Sequence, residues 1–384
     1  MKIPRTVWAL GAVSLLMDLS SELVHSLLPV LMVTVLGASM LAVGVVEGIA
    51  EATASIVKLF SGAISDRLGR RKPIVVLGYG LAALSKPLFP LAASVPLVLA
   101  ARFMDRVGKG IRGAPRDALI ADVTPEGARG AAYGLRQALD TVGAMLGPLA
   151  AIALMLALAN DVRSVLWWAV VPATLAVVVL VAFVREPAGA VAPLQRPVFK
   201  SFHQIGMRTW LVVAVGAVLT LARFSEAFLV LRALGLGFAL AMVPIVLVVM
   251  NVAYTATAYP AGVAADRGHR KALLVWGLVA LIASDLVIAS SASWALFFAG
   301  VVLWGLHMGL TQGLLSTLVA DAAPADLRGT AFGVFHLVSG VAMLLASVIA
   351  GVLWDAYGPA WTFYAGAAFT ALALLGLLAV RRSP

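Results

Sequence analysis

Asp18, Glu22 and His25 follow one another at intervals of four and three residues. At about 100° per residue of helix they share one stripe roughly 60° wide. Two carboxylates and an imidazole in a row can relay protons. They can also line a cavity or begin a metal site, and oxygen and nitrogen donors without thiolate suit nickel, iron, manganese or zinc. Glu47 and Glu51 stand one turn apart, with Lys58 on nearly the same face. Paired carboxylates in a low dielectric do not readily both ionise, so one is expected to hold a proton, as proton coupling requires. The other possibility is that each is neutralised by a cation on a neighbouring helix. Further along, Arg102, Arg106, Lys109 and Arg116 fall on one helical face with Asp105 and Arg112 at its edge, and Arg136 and Asp140 sit one turn apart. Such a basic stripe either binds an anionic solute or neutralises the carboxylates just named. The second half is sparser, with Arg223 and Glu226 three residues apart, then Asn251, His307 and His336. These are candidates for the lining of a second cavity, where Tyr254 and Trp304 could stack on a flat solute.

The elements that must hold these groups are set by composition. Of 384 residues, 62% are hydrophobic and 12% charged, and mean hydropathy is +1.02. A soluble domain has about 45–50% apolar and about 25% charged residues. The chain is therefore expected in a lipid bilayer, where an ionised side chain near the centre costs about 2.5–3.5 kcal/mol. Apart from Arg112, Arg116, Arg163, Arg208 and Arg232, which are counted with the loops, eight acids and seven bases nevertheless fall inside the expected spans. Near-balance points to ion-pair networks rather than to a site built purely for anions. Cysteine is absent, which removes disulfides and thiolate metal centres. The chain has no GxxxxGK[ST] phosphate loop, nucleophile elbow or HExxH pair, so neither an enzyme nor a cofactor is expected. The net charge of +10 is read as membrane orientation, not as nucleic-acid binding.

A membrane helix needs about 20 apolar residues. Polar and Pro/Gly punctuation gives twelve: 7–35, 40–62, 73–93, 95–116, 130–158, 163–184, 208–233, 238–262, 272–290, 294–319, 329–353 and 359–380. The first begins after Lys2 and Arg5 and is read as an uncleaved span. Nineteen Lys and Arg lie near the N-terminus and every second loop, against Arg163 and Arg232 on the other side. By the positive-inside rule both termini are cytoplasmic, in an inner membrane. Trp167, Trp168, Trp294, Trp354 and Trp361 fall near span ends, as interface anchors do.

The chain also repeats itself. GAISDRLGRRK from Gly62 matches GVAADRGHRK from Gly262, and ADVTPEGARGAAYG from Ala121 matches ADAAPADLRGTAFG from Ala320. Two matches at nearly one offset imply duplication and an all-α membrane protein of twelve helices in two pseudo-symmetric six-helix bundles. The expected division is 1–184, a cytoplasmic linker 185–207 and 208–384. Internal repeats of this kind build secondary transporters.

With these motifs the sequence resembles the major facilitator superfamily over essentially its whole length. The loop Gly62, Asp66, Arg67, Gly69, Arg70 and Arg71 is similar to that superfamily's signature loop, and Asp266 with Arg267 to its degenerate copy. Arg102, Phe103 and Gly108 resemble its fourth-helix motif, whose arginine is linked to proton coupling. Gly143-x3-Gly147-Pro148 resembles the glycine–proline motif of proton-driven exporters, with Leu149-Ala150-Ala151 in place of the usual glycine pair. The resemblance implies alternating access with protons as coupling ion and a small molecule or ion as solute. The basic loops, with Asp122 opposite, are then a cytoplasmic latch that does not touch solute. A monomeric, proton-coupled exporter of a small cation, drug-like or divalent metal, is the leading expectation. An importer of anionic metabolites held by Arg102 and Arg106 is the second, and a non-transporting membrane sensor the third.

Overall fold

The computed structural model describes residues 3–68, 70–186, 206–323 and 328–379, without the side chains of Asp66, Arg67, Asp266 and several others. All secondary structure among them is helical. The first span is α1 (Arg5–Val30), continued by a wider turn over Leu31–Val35, and the second is α2 (Met40–Leu68). The third is broken into α3 (Lys72–Ser85) and α4 (Leu88–Leu91). Pro87 lies at that break, since proline supplies no amide hydrogen and disfavours helix in the residue before it. The fourth is one helix, α5 (Val95–Val123), seven residues longer than the spacing predicts, and the fifth is α6 (Arg129–Ala157). The sixth comprises α7 (Val162–Trp167) and α8 (Val170–Phe183). Asp161 caps α7, accepting from the Arg163 amide at 3.1 Å and from the Ser164 hydroxyl. That hydroxyl is the main reason the exposed Asp161 carboxyl titrates below its usual range.

The seventh span departs from expectation. It is not one helix over 208–233 but α9 (Met207–Leu221) and α10 (Ala227–Gly235), separated by five residues. Serine side chains satisfy amides that the break frees: Ser347 Oγ accepts from the Ser225 amide at 3.2 Å, and Ser225 Oγ from the Ala227 amide at 3.2 Å. Local serine bonds of this kind compete with the helical ladder. The remaining elements are α11 (Ile245–Ala264), α12 (Arg270–Ser290), α13 (Trp294–Ala322), α14 (Arg328–Tyr357) and α15 (Pro359–Ala379). Gly268, at φ 91°, sits in the turn before α12, and Gly358, at φ 93°, separates α14 from α15. Side chains other than glycine rarely adopt that region.

Ten of these helical segments are long and apolar enough to cross a bilayer. The charged α5 and the broken seventh span are the two others. Leu77, Leu84, Phe183 and Leu372 are among the many large apolar side chains left more than half exposed, as expected of surface that meets lipid. The chain is a multi-pass membrane protein.

By compactness it divides into two units. The first comprises Met1–Ala38, Ile49–Arg196 and Leu240–Pro244; the second comprises Ser39–Gly48, Pro197–Ala239 and Ile245–Pro384. Most of the expected linker, 187–205, lies outside the described residues. In the first unit α1, α3, α5, α6 and α8 share a core including Val13, Met17, Tyr79, Ile120, Ala132 and Ala176. In the second, Val213, Val319, Ala331 and Phe335 pack together, and Leu219, Leu278 and Ala373 form another cluster.

Candidate functional site

Lipid chains are as apolar as leucine, so helices in a membrane associate through close packing of small residues. In the first unit those residues decide which charges meet. A Cβ on Gly143 would strike the Leu15 carbonyl, and one on Gly147 would lie 2.8 Å from Glu22 Cβ and 2.9 Å from the Leu19 carbonyl. The pair therefore seats α6 on the face of α1 that carries Asp18 and Glu22. Gly78 and Gly108 do the same for α3 and α5, where a Cβ on Gly78 would be 2.8 Å from the Gly108 carbonyl. Gly110 brings α5 against Val57 of α2, and Gly62 faces Ala114 at 3.3 Å.

With α5 seated, its basic stripe meets acids on several elements. Lys86, fully buried beside the α3–α4 break, donates to Asp105 Oδ1 at 2.7 Å and to Ser21 Oγ at 3.0 Å. Arg106 Nε lies 3.2 Å from Asp105 Oδ2, and its Nη1 donates to Glu51 Oε1 at 3.2 Å. Arg112 Nη2 stands 3.7 Å from Asp18 Oδ1, while its guanidinium lies 4.5 Å from the centre of the Tyr79 ring. Arg116 donates to Ser14 at 3.1 Å and to the Tyr79 hydroxyl at 3.4 Å. Arg102 Nη2 approaches His25 Nδ1 at 2.7 Å. A guanidinium only donates, so His25 Nδ1 is the acceptor. Asp140, within electrostatic reach of Asp18, pairs with Arg136 one turn away on α6 at 2.7 Å.

Exposure sorts this network into two parts. The side chains of Lys86, Asp105 and Arg106 are 3% exposed or less. Asp18 keeps 23% and Glu51 39%, and Lys58 and Lys109 are open. The ions of the sealed group have no water to exchange with. Asp18 and Glu51 each rest against a guanidinium and remain partly accessible, so protonation of either would free its partner.

The sequence candidates are distributed accordingly. Asp18, Glu51, His25, Arg102, Asp105, Arg106, Arg136 and Asp140 join the first unit's network, and Glu22 packs beside Gly147. Glu47 is buried at 1% exposure and falls with the second unit's residues, whereas Glu51 is occupied by Arg106. No group of three or more His, Asp or Glu that could hold a metal ion occurs among the described residues; Asp18 and His25 instead face guanidinium groups. In the loop, Arg71 binds Asp122 through its Nε, Ser65 at 3.3 Å and, through its amide, Glu186. Arg70 and Arg267 are exposed. Gly69 and the side chains of Asp66, Arg67 and Asp266 lie outside the described residues.

In the second unit, Arg223 occupies the α9–α10 break, within electrostatic reach of Glu226 and Tyr254. His307 Nδ1 meets the Gly277 carbonyl at 2.8 Å, so Nδ1 donates and Nε2 is left as an acceptor, unpartnered among the described residues. Asn251 is half-buried, and His336 lies against Phe332 and Phe335 of its own helix. Residue types and spacing left Tyr79, Ser14 and Ser21 unmarked and gave Lys86 no partner. Its signal was its place among the seven bases of the apolar spans.

A profile of the Major Facilitator Superfamily matches residues 10–250 and again 227–384. An uncharacterised MFS-type transporter of Methanocaldococcus jannaschii is 33% identical over 393 residues, covering 98% of this chain and 95% of that one. The multidrug resistance protein MdtH of Edwardsiella ictaluri is 30% identical over 154 residues, 40% of this chain and 37% of its own. Among solved structures, the nucleoside transporter NupG superposes with a TM-score of 0.78 over 99% of this chain and 100% of that one, at 12% identity.

Proposed function

The chain belongs to the Major Facilitator Superfamily, and on that premise we propose that it exports a small organic cation in exchange for protons, by alternating access. It is a membrane transporter of a small molecule; export, cation and proton are the parts that the site supports. The observation carrying them is the division of charge in the first unit. Arg102 and Arg106, which an anion importer would need, are 0% and 3% exposed and engaged with His25, Asp105 and Glu51. The carboxyls of Asp18 and Glu51 are the accessible groups. A carboxylate that holds a guanidinium in one state and a proton in the next changes the charge of the cavity by one. A cationic solute competes for the same oxygens, which couples its release to proton uptake. The partial match to a multidrug resistance protein supports the export direction.

In this reading the residues 1–184 and 208–384 are the two moving halves, and Arg71 with Asp122 belongs to a latch that re-forms each cycle. The protein works as a monomer in an inner membrane with both termini cytoplasmic. An organic solute is preferred to a divalent metal because the Asp18–His25 stripe is engaged by guanidinium groups. Thermal-shift competition with purified protein tests the solute class. Lipophilic cations such as ethidium should raise the unfolding midpoint, and the rise should vanish in Asp18→Asn and Glu51→Gln. Stabilisation by organic anions alone, lost in Arg102→Gln, would support the importer instead.

A further inference from the structure

The second unit holds a carboxyl that the network of the first does not serve. Asp285, in α12, is 0% exposed, and neither Oδ1 nor Oδ2 has a hydrogen-bond partner among the described residues. Ser284 beside it turns to α13, donating to the Gly300 carbonyl at 2.8 Å. The Asp285 carboxyl faces α15 instead, where Gly366 leaves it room: a Cβ there would stand 2.7 Å from Oδ2 and 3.0 Å from Phe224 Cε1. Phe224 belongs to the α9–α10 break, and its ring packs against Trp304 at 5.3 Å and Phe363 at 5.4 Å. The carboxyl thus lies beside the Phe224 ring, which is carried on a segment that is not helical.

The charged and titratable groups of the surrounding elements do not meet it. The α13 helix offers His307, bonded at Gly277 two turns away along α12, and Asp321, whose side chain lies outside the described residues. The α15 helix offers only the exposed Tyr364, and α11 only Tyr254 and Tyr259. Arg223 and Glu226 flank Phe224 in the break, and among the described residues Arg223 gives Asp285 no hydrogen bond. An ionised carboxylate stripped of water and of every donor is unfavourable unless a cation joins it. A Cβ at Gly366 would strike Oδ2 and press on the Phe224 ring, so the carboxyl packs directly on α15, and the cation that fits beside it is a proton.

We propose that Asp285 is a protonation site of the second unit, whose carboxyl carries one proton beside the Phe224 ring. The site stands whether or not the first unit exchanges protons. Its test is the thermal unfolding of the purified full chain, followed in sodium chloride against N-methylglucamine chloride at equal ionic strength, and across a pH series. The wild-type midpoint should respond to pH and not to sodium, and Asp285→Asn should lose that pH response while remaining folded. Gly366→Ala, which presses a methyl group on Oδ2, should shift the half-maximal proton concentration several-fold. Equal responses to sodium and to pH in wild type and Asp285→Asn would overturn the site. If Asp285→Asn cannot be recovered folded, an unchanged midpoint series in Gly366→Ala overturns it.

Discussion

Lys86 and Asp105 illustrate how far single residues could be read in advance. A charge balance was legible, because eight acids and seven bases in apolar spans require partners. The pairing was not, since Lys86 and Asp105 are 19 residues apart and meet only after α3 folds back on α5. Breaking a buried pair strands a charge, at a cost of about 3–5 kcal/mol, whereas removing both ions together is often nearly neutral. Lys86→Met should therefore lower unfolding stability in detergent by about that amount, and adding Asp105→Leu should recover most of it. Glu51→Gln, at a position where the carboxyl is partly exposed, should cost far less stability, about 0–1 kcal/mol, while abolishing proton dependence. Equal destabilisation by Lys86→Met and Glu51→Gln would remove the distinction between sealed and exchangeable charge.

Helices carry the next layer, and glycine positions decide how closely they approach. The Gly143–Gly147 spacing was visible in the sequence, but its partner, the Asp18–Glu22 face of α1, required the fold. Leucine at Gly147 would collide with Glu22 and Leu23, and overpacking of this kind costs roughly 1–3 kcal/mol. Gly147→Leu should leave the protein inserted and α-helical by circular dichroism yet inactive, because the acidic stripe is displaced. A similar stripe serves the second unit, where a Cβ on Gly48 would lie 2.8 Å from Leu344 and one on Gly351 2.7 Å from Leu41. Beside it Asp355 caps α2, accepting from the Met40 amide at 3.0 Å and the Leu41 amide at 2.8 Å. Asp355→Ala should cost about 1 kcal/mol of stability, and Asp355→Asn, which still caps, much less. The α9–α10 break was hidden because 208–233 is continuously apolar apart from Arg208, Arg223, Glu226 and Arg232 and the hydroxyls of Thr209, Thr220 and Ser225. Hydropathy records whether a segment enters the membrane, not whether its backbone bonds are supplied by Ser225 and Ser347.

At the scale of the whole chain, hydropathy and duplication carried most of the information. Both report on burial in lipid and on copied helices, properties that do not depend on side-chain partners. Solute and direction are decided by a few polar atoms, and there the sequence left cation and anion readings open. The central claim is that proton movement through the open carboxyls of the first unit drives export of a cation. Its most direct measurement is ethidium flux in proteoliposomes of the purified protein under an imposed pH gradient. Flux should run against the proton gradient, collapse when nigericin dissipates it, and fall to the level of protein-free vesicles in Asp18→Asn and in Glu51→Gln. Undiminished gradient-driven flux in both variants, or wild-type flux indifferent to the gradient, would contradict it.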